Sequence, residues 1–197
     1  VCINLPRNIL AESNSYNINT KKPSFTNENK QKGNKDNIKK AAKLIEASKC
    51  SVIIVGAGIK YNSKYRDVIK LAELCNMPVV TAAGHGDAIP FGHKLNAGQM
   101  GPRGNPVASR LVKNADVILA IGTRLGFNST FYSYENINKH AKIIQIELEK
   151  TMLGKYFPTT IKIHADAATA TKQLYDQIKK DKIQLNIKNW TNLYLKE

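Results

Sequence analysis

The apolar and polar positions of this chain fall into blocks whose period changes along its length. Ile38, Ala41, Ala42 and Ile45 recur at helical spacing, which predicts an amphipathic helix opening at Asp36 as its N-cap. Directly afterwards SVIIV (51–55) is a continuous apolar run, the pattern of a strand covered on both faces. Helical spacing returns over Lys64–Cys75, with Val68, Leu71, Ala72 and Cys75 on one side. MPVVTA (77–82) predicts a second strand. A long glycine-rich loop follows, GHGDAIPFGHKLNAGQMGPRGN, with a very short strand expected near Lys94–Ala97. Pro106–Asn114 predicts a helix, ADVILAIG (115–122) a strand, AKIIQIE (141–147) another and TTIKIHA (159–165) another. Asp166–Lys179 closes the series as a helix.

Strands alternate with helices, and the strongest strands are unbroken apolar runs rather than period-two patterns. That is the signature of a parallel sheet covered on both faces. The fold class expected over residues 36–180 is therefore α/β, doubly wound, in three layers. The flanks differ. Residues 1–12, VCINLPRNILAE, read as a short strand and turn, the tail of some other unit. Residues 13–35 are dense in Asn, Ser, Lys and Gly and read as a linker. Residues 181–197 return to linker composition, with a short helix carrying Trp190, Leu193 and Tyr194. Those residues either dock on something outside this chain or cross back over the domain surface.

Composition narrows the function classes. The formal net charge is +15, yet only five of the thirty basic residues are Arg: Arg7, Arg66, Arg103, Arg110 and Arg124. Nucleic-acid recognition favours Arg's planar fork and comes with known motifs, none of which occurs, so no nucleic-acid partner is expected. No apolar run of about 18 residues is present, so no membrane span is expected. The chain starts at Val1 and lacks the order of a signal peptide, which suggests a piece of a longer protein. Cys2, Cys50 and Cys75 are isolated, which points to a reducing, cytoplasmic setting without disulfides or zinc.

Candidate chemistry gathers where the strands end. In open α/β sheets, ligands bind beyond the carboxyl ends of strands, where strand order reverses. Gly56 and Gly58 follow the first strand, Gly84 the second, and Gly122, Thr123 and Arg124 the fourth-block strand. Gly98, Gly101 and Gly104 are spaced G-x-x-G-x-x-G and lead into a helix N-terminus at Asn105-Pro106, a geometry suited to a phosphate. Arg103 and Arg124 are the natural phosphate clamps. Glu147 and Glu149 end the next strand and are placed to accept from ribose hydroxyls. Asp166 either does the same or N-caps its helix. Gly56-Ala57-Gly58 is not an ordinary dinucleotide fingerprint, because the third glycine's place is taken by Tyr61. Loops packing against neighbouring domains are the competing reading of these glycines. His85 and His93 read as hydrogen-bonding within their loop rather than as metal ligands, and His140 and His164 stand alone. No nucleophile–base–acid constellation is present, so no catalytic residue is assigned.

Several stretches resemble a known family. PVVTAAGHGDAIPFGHKLNAGQMGPRGN, NADVILAIGTRLG, AKIIQIELEKTMLGK and HADA are similar, in that order, to the central domain of thiamine-diphosphate-dependent enzymes of the acetolactate synthase type. GTRLGFNST also resembles the related sulfoacetaldehyde acetyltransferases, and CINLPRNIL the end of the family's N-terminal, pyrimidine-binding domain. The resemblance implies a six-stranded, Rossmann-like parallel sheet of order 3-2-1-4-5-6, with the GAG and GTR turns as two lips of one crevice. In acetolactate synthases that crevice holds FAD; in relatives it holds ADP or part of coenzyme A, or is empty. The resemblance implies decarboxylation of a 2-oxo acid such as pyruvate and transfer of its C2 unit, with thiamine diphosphate and magnesium held by missing N- and C-terminal domains. A homodimer or homotetramer is implied, and an inactive isolated chain. The rival readings are a sulfoacetaldehyde acetyltransferase, an acyl-CoA decarboxylase, a free-standing nucleotide-binding module and a structural spacer. Departures from the family are local. Leu125-Gly126-Phe127-Asn128 stands where many FAD-containing members carry Asp-Asp-Arg. Glu147-Leu148-Glu149 replaces Asp-x-Asp and Ala165-Asp166 replaces Gly-Asp, with Glu reaching roughly 1.5 Å further than Asp.

Overall fold

A computed structural model describes residues 4–13, 15, 31–60 and 65–195. Six parallel strands form one sheet: β1 (Ser51–Val55), β2 (Val79–Thr81), β3 (Asn96–Gln99), β4 (Val117–Ile121), β5 (Lys142–Glu147) and β6 (Ile161–His164). Eight α-helices accompany them among the described residues. In chain order these are α1 (Arg7–Leu10), α2 (Lys35–Glu46), α3 (Ala57–Lys60), α4 (Tyr65–Cys75), α5 (Pro106–Asn114), α6 (Phe127–Thr130), α7 (Ala167–Lys180) and α8 (Lys188–Leu195).

The strand order is β3-β2-β1-β4-β5-β6, the doubly wound order implied by the family resemblance. β1 lies between β2 and β4, with Val55 in register with both Thr81 and Ile121. The chain leaves β1 toward β2 and later re-enters beside β1 as β4. That reversal of winding places helices on both faces, because each parallel crossover keeps the same hand. α7 packs against both α2 and α4, while α5 and α8 form a separate group near β3. Both central strands are buried along their whole length, which is why their sequences are unbroken apolar runs. The core faces of the helices are those the spacing predicts: Ile38, Ala41, Ala42 and Ile45 on α2, and Val68, Leu71, Ala72 and Cys75 on α4.

Three expectations change. Residues 7–10 are helical rather than a strand, because Pro6, with φ of −59°, caps a helix start instead of ending a ladder. α2 is capped by Asn34, whose side chain accepts from the backbone N–H of Asp36 and Asn37, so Asp36 itself lies inside the helix. The short third strand lies at Asn96–Gln99, slightly later than expected. Lys64, the expected start of the next helix, and Tyr61 lie outside the described residues.

The terminal helix crosses back over the domain. Trp190 is buried and its indole N–H donates to the Ser51 carbonyl at 3.0 Å. The Thr191 hydroxyl donates to the Asn76 carbonyl at 2.6 Å, and Asn114 donates to the Tyr194 hydroxyl at 3.2 Å. Leu193 alone points outward, at 61% exposure. The end of the 13–35 stretch also packs on the domain. The Gln31 carbonyl accepts from Asp166 N–H at 3.0 Å, and Gly33 N–H donates to the Gln173 side chain at 2.8 Å.

Candidate functional site

The site begins at the shared end of β1 and β4. Gly56 N–H donates to the Ile121 carbonyl at 3.1 Å, and Gly58 N–H to the Gly122 carbonyl at 3.0 Å. Any larger residue would separate these turns. A Cβ on Gly58 would stand 2.7 Å from Gly122 Cα, and one on Gly56 would stand 2.7 Å from Thr123 Cβ. Gly122 also has φ of +57°, a left-handed conformation that favours glycine. The two lips therefore touch through backbone. Gly56 and Gly58 serve close approach between neighbouring turns, and of the two only Gly58 borders open space.

Above them lies a crevice of about 590 Å³, floored by Gly58, Gly122 and Thr123 and walled by Arg124, Glu147 and His85. A second chamber of about 440 Å³ shares Ala83, Phe127 and Asn128 with it as lining residues. Gly84, Gln99, Arg103 and Phe131 surround that chamber. The fold thus brings seven of the sequence-expected positions, Gly58, Gly84, Arg103, Gly122, Thr123, Arg124 and Glu147, to two chambers that share a wall.

The electrostatics follow from how each charged side chain is held. Glu147 is buried at the end of β5, and its Oε1 accepts from the N–H groups of Leu148 at 2.9 Å and Glu149 at 3.1 Å. Its carboxylate is fixed at the crevice wall by its own turn. Arg103 and Arg124 are exposed and make no ion pair among the described residues. Two uncommitted guanidinium groups beside one pinned carboxylate suit a ligand bearing a phosphate and a hydroxyl donor.

Other expected positions lie outside this space. Glu149 caps the short turn Lys150–Met152. The Thr151 hydroxyl (2.9 Å) and N–H hold its carboxyl below the usual range, with Arg124 a lesser contributor. Asp166 is buried as the N-cap of α7, accepting from the Thr169 N–H at 2.8 Å and hydroxyl at 2.7 Å. Gly98, with φ of +90°, lies within β3 where its register with β2 shifts, and Gly101, with φ of +101°, shapes the loop that leads from β3 to α5. Gly104 sits so close to the Gln99 carbonyl that a Cβ would meet it at 2.2 Å. The α5 N-terminus is capped by Asn105, whose side chain accepts from Val107 N–H at 2.8 Å.

Three lining residues escape sequence reasoning. His85 borders the crevice, and its Nδ1 is buried without a hydrogen-bond partner among the described residues, contrary to the expected bond within its loop. His93 does bond locally, accepting at Nδ1 from Leu95 N–H at 3.3 Å. Phe127 and Asn128 come from α6, a single turn that no periodicity announces. The signal for all three was position: His85 follows β2, and Phe127 and Asn128 follow β4, at the carboxyl ends of the two strands that flank β1. His164 is tied up, with Nε2–H donating to the Leu148 carbonyl at 2.8 Å and Nδ1 accepting from Gln31 at 3.0 Å. Among the described residues no three His, Cys, Asp or Glu side chains converge as metal ligands. Among the described residues no helix is long and apolar enough to cross a membrane.

Comparison with known proteins places this architecture. Residues 38–174 match the family model "Thiamine pyrophosphate enzyme, central domain". The chain is 32% identical over 178 residues to a probable sulfoacetaldehyde acetyltransferase of Rhizobium meliloti (strain 1021), covering 89% of this chain and 29% of that protein. It is 33% identical over 174 residues to the sulfoacetaldehyde acetyltransferase of Roseovarius nubinhibens, covering 87% and 28%. It is 31% identical over 195 residues to the acetolactate synthase large subunit of Buchnera aphidicola subsp. Schizaphis graminum, covering 96% and 34%. The chain thus spans about a third or less of the length of these relatives. With the doubly wound sheet and the family model agreeing over most of its length, the chain belongs to the central-domain family of thiamine pyrophosphate enzymes.

Proposed function

We propose that this chain is the central domain of a thiamine-diphosphate-dependent carboligase resembling acetolactate synthase. The whole protein would decarboxylate a 2-oxo acid such as pyruvate and transfer the C2 unit. Thiamine diphosphate, bound with magnesium outside this chain, would act as the electron sink of that reaction. This domain contributes the crevice at the β1–β4 reversal and an interdomain scaffold, not the catalytic groups. The whole enzyme is proposed to be a cytoplasmic homodimer or homotetramer.

The crevice is proposed to take FAD or ADP. The observation that carries this reading is the placement of Arg124 and the pinned Glu147 on one chamber and Arg103 on the chamber that shares its wall, above backbone turns. Glu147 would accept from a ribose hydroxyl. Arg124 and Arg103 would hold phosphate, with Thr123 at the floor of the Arg124 chamber. A second reading is a sulfoacetaldehyde acetyltransferase, favoured by identities of 32–36% to enzymes of that name against 29–31% to acetolactate synthases.

The test of the whole reading is turnover by the full-length protein given thiamine diphosphate and magnesium, with pyruvate and sulfoacetaldehyde compared. Consumption of pyruvate with formation of a carboligation product is the expected result. Exclusive use of sulfoacetaldehyde supports the second reading, and turnover of neither refutes both. The 197 residues alone are expected to turn over nothing.

A further inference from the structure

Phe127 is the unusual residue of the crevice. Its side chain is 53% exposed, yet it is held firmly. The Phe131 ring lies 5.0 Å from it and the Tyr132 ring 5.6 Å, centroid to centroid, and Tyr132 stacks on Tyr156 at 4.4 Å. The backbone beneath is left-handed at Leu125, Phe131 and Tyr132, with φ of 53°, 49° and 54°. Bulky residues rarely adopt that conformation. Thr130, fully buried, ties the loop together by donating to the Leu125 carbonyl at 3.0 Å and accepting from Tyr132 N–H at 3.1 Å. The aromatic wall is therefore built before any ligand arrives.

That wall faces the second chamber, where Phe127 and Phe131 stand with Pro102, Gln99 and Arg103. Phe127 also borders the first chamber, beside Arg124 and Glu147. An extended ligand whose ribose and phosphate occupy the first chamber reaches this wall with its far end. A preformed aromatic face rewards a flat ring by stacking, and a nearby guanidinium adds to that preference. A flexible chain gains no stacking there and loses rotamer freedom.

We propose that Phe127, buttressed by Phe131, determines the specificity of the crevice. It selects a ligand whose diphosphate carries a flat heteroaromatic ring at its far end over one that ends in a flexible arm. This rests on the reading of the crevice as a nucleotide-type site.

The test titrates FAD, ADP and coenzyme A into the wild-type chain and the Phe127→Leu and Phe127→Tyr variants, by calorimetry and by flavin fluorescence. FAD carries the flat ring, ADP stops at the diphosphate and coenzyme A carries the flexible arm. Wild type is expected to bind FAD more tightly than ADP or coenzyme A and to quench the flavin. Phe127→Leu keeps apolar bulk but removes the ring. It should weaken FAD about tenfold, which is about 1.4 kcal/mol and within the contribution of one base–aromatic stack. It should also relieve the quenching and leave ADP affinity within about twofold. Phe127→Tyr should retain FAD. Phe127→Tyr keeps the ring contacts and should melt like wild type, whereas Phe127→Leu gives up those to Phe131 and Tyr132 and should melt only a few degrees lower, still folded at the titration temperature. The proposal is overturned if Phe127→Leu leaves FAD unchanged, if it weakens ADP as much as FAD, or if coenzyme A binds best. A wild-type chain that binds ADP without preferring FAD overturns this inference alone. One that binds none of the three overturns the crevice reading as well.

Discussion

Gly122→Ala should damage the meeting point of the two lips by two separable effects. Gly122 has φ of +57°, and an L-residue there costs about 1–2 kcal/mol. The added Cβ would also stand 2.7 Å from Gly58 Cα and 3.0 Å from Gly58 N, where ordinary contact begins at 3.4 Å. Both opposing atoms are backbone of the β1–α3 turn, so relief requires the turn itself to move. Overpacking of that kind costs about 1–3 kcal/mol. A total of about 3 kcal/mol is a large part of the roughly 5–15 kcal/mol that stabilises a typical domain. At about 2–4 °C per kcal/mol for a chain of this size, Tm should fall by about 6–12 °C. Urea denaturation followed by circular dichroism gives the free energy, with Gly92→Ala as the control. Gly92 has no heavy atom within 4 Å of a built Cβ and no positive φ, so that change should stay within about 0.5 kcal/mol. If Gly122→Ala costs no more than Gly92→Ala, the backbone contact between the lips is not what requires glycine at 122.

Three further outcomes follow from single contacts. Trp190→Phe removes the indole donor to the fully buried Ser51 carbonyl and should cost about 1–3 kcal/mol in urea melts; no change would mean α8 is not docked. Asp166→Ala should cost about 1 kcal/mol through the lost N-cap of α7, while Asp166→Asn, which still accepts, should cost much less; equal losses would point to the charge instead. Burial pushes the Cys75 thiol up to about 12 from its ordinary value near 9. A folded-state value above the unfolded one means this contribution to stability is complete below about pH 9 and is lost as pH rises toward 12. At pH 8, peptide mapping after iodoacetamide should show Cys50 modified and native Cys75 untouched, although burial and then Asp116 also raise Cys50; rapid alkylation of Cys75 contradicts its burial.

The layers of the fold were legible because burial writes itself into periodicity. Ile38, Ala41, Ala42 and Ile45 could only face a core, and SVIIV could only be covered on both sides. The strand order was legible through family resemblance, since no local pattern states which strands neighbour one another. Short elements were not legible. α3 and α6 are single turns, too brief for any period, and they are set by the turns of β1 and β4 that precede them. The crevice was half legible. Its glycine turns and arginines announce themselves at strand ends, but Gly56 is filled by Thr123 and Asp166 by its own helix cap. Which glycine faces open space is a property of packing between β1 and β4. His85, Phe127 and Asn128 enter the wall only through tertiary placement, so residue type alone gave them no weight.

The central claim is that the reversal point between β1 and β4 is an anion-holding ligand site, with Arg124 as a clamp. Calorimetric titration of FAD and ADP into wild type and Arg124→Ala tests it most directly. Arg124 is exposed and free of ion pairs among the described residues, so its removal should leave Tm unchanged. Affinity should fall about tenfold or more, as expected for a charge-assisted phosphate contact of about 1.5–3 kcal/mol. Equal affinity in the two proteins, or no binding by wild type, would contradict the claim and leave Arg124 to an interface with a neighbouring domain.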